Sequence, residues 1–135
     1  LQLADSSDET LRNLYRLAVL LTGDPGRAET VLLATVAHSS AHLAQYRDRR
    51  HGLLYFVKLL RQGCRNTVPP GDPDPKSFAD CFARLPEPSR SALALFYINL
   101  LTIEEVAEVL DMDLMELGDT LGAARGLLFK SDAAL

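Results

Sequence analysis

The sequence predicts an all-α protein. Apolar residues recur at three- and four-residue spacing, three S/T/D-x-x-E capping signatures precede such stretches, and glycine or proline breakers separate them. At 135 residues the chain is long enough for one domain with a modest core, or for two very small helical units. The boundaries expected are a helical unit over 1–66, a Pro-rich linker over 67–76 and a second helical unit over 77–135.

The first capping signature, Ser6 with Glu9, opens a helix in which Leu11, Leu14, Ala18 and Leu21 recur up to the breaker Gly23. Asp24 before Pro25 suits an N-cap followed by proline in the first turn, so a second helix runs through Val31, Thr35, His38 and His42 to about Leu43. A third spans roughly Arg50 to Arg65. Between Thr67 and Pro75 five positions, Pro69, Pro70, Gly71, Pro73 and Pro75, resist helix and central strand alike, which makes this segment a linker. Ser77 to about Leu85 is a short helix, and Pro86-Glu87-Pro88 starts a longer one reaching Tyr97 or Asn99. Thr102 with Glu105 then caps a helix whose one face is Ile103, Val106, Ala107 and Leu110. Asp113 with Glu116 caps another, along Leu114, Leu117, Leu121, Ala124 and Leu128. These two meet at a tight Asp111-Met112 corner, the arrangement a helix-turn-helix needs.

The 47% hydrophobic and 24% charged fractions are ordinary for a globular protein, and no run approaches the roughly 20 apolar residues of a membrane span. The start Leu1-Gln2-Leu3-Ala4-Asp5 carries no secretory pattern, so a cytoplasmic location is expected. Cys64 and Cys81 form no C-x-x-C pair and read as buried free thiols. His38 and His42 share a helical face but lack a third ligand, so no metal and no cofactor is expected. No nucleophile, base and orienting acid group together, and the expectation is a non-enzyme. Charge is uneven: residues 1–76 hold ten Lys/Arg against eight Asp/Glu, and residues 77–135 hold four against ten, giving +2 and −6. A nucleic-acid reader needs a basic face, and the second half does not supply one.

The stretch from Leu14-Tyr15-Arg16-Leu17-Ala18 to Leu21-Thr22-Gly23-Asp24, followed by Ala28-Glu29, resembles the opening region-2 helices of bacterial extracytoplasmic-function sigma factors. Leu85-Pro86-Glu87, Ala92-Leu93-Ala94-Leu95, the unbroken run Leu101 to Leu110 and Ala124-Arg125 resemble region 4 of the same family. The resemblance implies a region-2-like domain and a region-4-like helix-turn-helix domain, with RNA polymerase, an anti-sigma factor or another transcription protein as partner.

The departures from the family pattern shape the functional expectation. Where the family's second helix continues with an acid, a glutamine and a glutamate that help grip polymerase, this chain has Thr30-Val31-Leu32-Leu33-Ala34-Thr35. Along the recognition helix from Asp113 to Arg125 only Arg125 remains cationic, while Asp113, Glu116 and Asp119 would face a polyanion. The expected function is therefore a sigma-like transcription regulator acting through protein contacts, with specific duplex binding lost. The alternatives are a genuine sigma factor and a helical scaffold without a transcriptional role. Gly118, Gly122 and Gly126 form a bare stripe at i, i+4 and i+8. With Leu32 and Leu33 they are the expected protein-interaction residues, through contact with the first half, a partner or a second copy. Residual single-strand contact is assigned to Arg47, Arg49, Arg50, Lys58, Arg61 and Arg65, with Arg125.

Overall fold

The structure, a computed structural model, describes residues 2–40, 49–64 and 78–133. Within them lie seven helices and no strand: α1 (Gln2–Thr22), α2 (Pro25–Ser40), α3 (Arg49–Cys64), α4 (Phe78–Ala83), α5 (Ser89–Ile98), α6 (Ile103–Leu110) and α7 (Leu114–Ala133). The fold is all-α, as the periodicity predicts. The expected linker 67–76 and His42 lie outside the described residues.

The local signals place most helix ends. Gly23 takes a left-handed φ of 73° and donates its N–H to the Val19 carbonyl, closing α1. Thr22, fully buried, returns its hydroxyl to the Ala18 carbonyl at 2.8 Å. Two residues on, the Asp24 carboxylate accepts from the Gly26 N–H at 3.3 Å, and Pro25 begins α2 where its missing donor costs nothing. The start of α1 departs from expectation: the helix begins at Gln2, upstream of the Ser6 signature, because residues 2–5 hold no proline or glycine to stop it.

Asp111 adopts φ 55°, its N–H reaching back to α6 while the Met112 N–H bonds the Ala107 carbonyl at 3.0 Å. This Schellman-type closure turns the chain within two residues, and the Asp113 carboxylate accepts the Glu116 N–H at 2.8 Å to open α7.

One cluster of buried side chains runs through all seven helices. α1 packs on α2, α3, α4 and α5, so Leu14, Leu17, Ala18 and Leu21 serve both halves of the chain. α5 carries a continuous buried stretch, Arg90 to Leu95, and packs on α7 through Leu117, Leu121, Ala124 and Leu128. Three residues assigned to the inward faces by spacing stand outside the core: Leu11 is 47% exposed, Ile103 39% and Leu114 52%. Ile103 and Leu114 are the first residues of their helices, and Leu11 precedes the buried run of α1 that Leu14 opens, so each stands where the neighbouring helices no longer cover it.

Candidate protein-interaction surface

α6 and α7 meet at the tight Asp111-Met112 corner. A reciprocal capping box starts α6: the Thr102 hydroxyl accepts the Glu105 N–H at 3.2 Å, and the Glu105 carboxylate accepts the Thr102 N–H at 2.8 Å. The inward face of α7 is apolar, and its outward face presents Asp113, Glu116 and Asp119 together with Met115, which is 78% exposed. Arg125 lies over the Phe96 ring, 5.0 Å from its centroid, a cation–π placement that ties it to α5.

Gly118, Gly122 and Gly126 lie on this outward face. Among the described residues a Cβ built on any of them meets no atom within 4 Å, so none of the described part of the first half packs against the stripe. α5 packs on the leucine face of α7 and leaves the glycine side open. Leu32 is 7% exposed and packs into the core, and the part of it still reachable lines the groove between α1 and α2. Its neighbour Leu33 is 60% exposed and stays available at the surface.

Two arginines of the basic cluster, Arg50 and Arg61, are paired with carboxylates of the second half of the chain. The Arg50 guanidinium forks onto the Glu105 carboxylate of α6, with Nε to Oε2 at 3.0 Å and a second bond from Nη2 to Oε1. That hydrogen bond outweighs a small opposing effect of burial. With the Thr102 bond and the Arg50 charge, it holds the Glu105 carboxyl below the usual carboxylate range. Arg61 binds Glu87 at 3.0 Å and Ser91 at 2.9 Å. Arg47 and Arg65 lie outside the described residues, and of Arg49 only the backbone is described. Lys58 stays exposed, Tyr55 is half-buried and Phe56 is buried, so these rings form no open stacking platform.

Glu87 is the centre of a polar knot that spacing alone did not reveal. Its carboxylate accepts from Arg61 of α3, from Nε of the buried Arg90 at 3.1 Å and from the Ser91 hydroxyl at 2.6 Å, while Arg90 also donates to the Ala83 carbonyl at 2.7 Å. Burial pushes the Glu87 carboxyl up, but the Ser91 and Arg90 hydrogen bonds and the two guanidinium charges together bring it below the usual range. Beside it the buried Cys64 thiol is pushed up to about 12 by desolvation. Cys81 is half-buried rather than buried, and neither cysteine forms a disulfide.

Among the described residues no three His, Cys, Asp or Glu side chains converge as metal ligands, and no helix is long and apolar enough to cross a membrane. No protein-family model matches the chain, and no curated protein matches it.

The surface residues that sequence reasoning missed lie on α1. Leu11 and Tyr15, with Arg12 and Arg16 one position on, form two i, i+4 pairs that line a groove against Glu29 and Leu32 of α2. The repeated spacing is visible in the sequence, but the apolar pair is indistinguishable there from a core stripe.

Proposed function

We propose that this protein is a sigma-like transcription regulator that works through protein–protein contacts and does not read duplex DNA. The transcriptional part of this reading rests on the resemblance of residues 14–29 and 85–125 to sigma regions 2 and 4. The observation that carries the protein-contact part is the outward face of α7. A capped helix–corner–helix unit is present, yet the stretch that would enter a major groove offers Asp113, Glu116, Asp119 and bare glycines, and the one cation between Asp113 and Arg125, Arg125 itself, lies on Phe96. Phosphate contacts dominate the affinity of DNA readers, so three carboxylates on that face oppose binding. The commitment of Arg50 and Arg61 to Glu105 and Glu87 further reduces the cationic surface open to nucleic acid. The partner in this reading is an anti-sigma factor, RNA polymerase or another transcription protein in the cytoplasm.

The test is affinity capture of the tagged full chain from native lysate, scored for transcription proteins, together with fluorescence anisotropy on promoter duplexes at two salt concentrations. Specific capture of a transcription protein with no tight duplex binding is the expected result. Sub-micromolar duplex binding with a steep salt slope would establish a genuine sigma factor instead. Stable co-elution with core polymerase, lost on changing the exposed face of residues 29–40, would point to the same alternative.

A further inference from the structure

The α1–α2 groove combines features that no role inside the fold explains. It has a volume of about 620 Å³ and is lined by Leu11, Arg12, Tyr15 and Arg16 on the α1 side and by Glu29 and Leu32 on the α2 side. Its floor is apolar: Leu32 closes the bottom, Tyr15 is half-buried and Leu11 is exposed. Leu33 and Val36 follow Glu29 at i+4 and i+7, and both are exposed, so they continue the apolar surface along α2. On the opposite wall Arg12 and Arg16 stand one helical turn apart, both exposed, and among the described residues neither makes an ion pair or hydrogen bond. Two like charges at i, i+4 repel each other, and an occupant carrying carboxylates would relieve that repulsion.

We propose that this groove is the docking site for an amphipathic helix of a partner protein, with apolar anchors against Leu11, Tyr15, Leu32 and Leu33 and a carboxylate-bearing flank along Arg12 and Arg16. Charge complementarity selects this occupant. The cationic wall asks for acids spaced four residues apart, and Glu29 on the facing wall asks for a neutral or basic opposite flank, which fixes the direction the helix presents its two sides. A polyanion is disfavoured by the same geometry, because Glu29 lines the site and the chain carries a net charge of −4. The groove supplies a contact surface for the protein-contact function proposed above, and its assignment rests on that reading.

Two synthetic helices, each roughly 18 residues long, test it with the full chain. Both carry leucines at i, i+3, i+7 and i+10; one has glutamates along one flank at four-residue spacing, the other has lysines there. The glutamate helix is expected to bind about tenfold more tightly than the lysine helix, and the double variant Arg12→Glu with Arg16→Glu should invert that order. Leu33→Asp should weaken both while leaving the melting temperature unchanged, since Leu33 stands outside the core. Equal binding of the two helices, no binding of either, or an order unaffected by the double variant would overturn the assignment. So would displacement of a bound helix by a single-stranded oligonucleotide. Charge-selective binding without capture of any transcription protein sinks the functional reading and keeps the groove; the reverse pattern sinks the groove alone.

Discussion

Replacing Gly122 with alanine separates an open surface from a packed one by the sign of a single number. Glycine in a helix interior costs about 1 kcal/mol relative to alanine, because the unfolded chain loses more conformational freedom on folding. At Gly122 nothing among the described residues lies within 4 Å of the added Cβ, so no steric cost from them offsets the gain. Gly122→Ala should therefore stabilise the isolated chain by about 1 kcal/mol, a rise in Tm of about 3–6 °C for a chain of this size. The triple variant with Gly118→Ala and Gly126→Ala should gain about 2–3 kcal/mol, since neither of those positions meets a neighbour either. Gly63 in α3 supplies the control. A Cβ there would stand 2.7 Å from Cγ1 of Val31, a short β-branched side chain with little freedom to move aside. Gly63→Ala should accordingly destabilise by about 1–2 kcal/mol. Differential scanning calorimetry, with light scattering to fix the mass in solution, reads both. A lowered Tm for Gly122→Ala at unchanged mass would refute the placement of the stripe on an open face. A lowered Tm accompanied by loss of a dimer would make the stripe an interface between copies.

Glu87→Gln removes the charge that partners Arg61 and the buried Arg90, and should cost about 2–3 kcal/mol in chemical denaturation, somewhat less than a fully buried pair because the site keeps some solvent access. The same carboxylate sets an acid limit. Its folded pKa is depressed, so its stabilisation is complete above the unfolded value of about 4.3 and is lost as pH falls through the lower folded value; Glu105 acts in the same direction. Tm should stay level from neutral pH to about 5.5 and fall steeply below about 4.5, and Glu87→Gln should flatten part of that fall. Asp111→Gly should raise stability by about 0.5–1 kcal/mol by relieving a left-handed φ of 55° at the α6–α7 corner, measured as a shifted urea midpoint at constant slope. The Cys64 thiol, buried and pushed up to about 12, should resist a disulfide reagent at pH 8 in the native protein and react at the rate of unfolding; rapid labelling of Cys64 would contradict its burial.

Fold class and most of the helix ends after residue 20 are legible in the chain alone. Those ends depend on neighbours within three or four residues: Gly23 and Asp24 at the first corner, Thr102 with Glu105, and Asp113 with Glu116 are each complete signals read locally. Leu117, Leu121 and Leu128 of α7 also face inward as spacing requires, while Leu114 at its first turn is exposed. The candidate surface was less legible. Leu11 and Leu14 obey the same periodicity, yet one is exposed and the other buried, because a helical period states that a face is apolar and not how far along it a neighbour extends. Glycine carries no side chain, so a stripe of it has the same pattern whether another helix lies against it or solvent does. Only the packing of α5 on the leucine face left that side of α7 open. The pairing of Arg50 with Glu105 and of Arg61 with Glu87 joins residues 55 and 26 positions apart. A charge cluster in sequence has no direction, and it is the tertiary placement of α3 beside Glu87 and α6 that turned two of its arginines away from nucleic acid and onto carboxylates of the same chain.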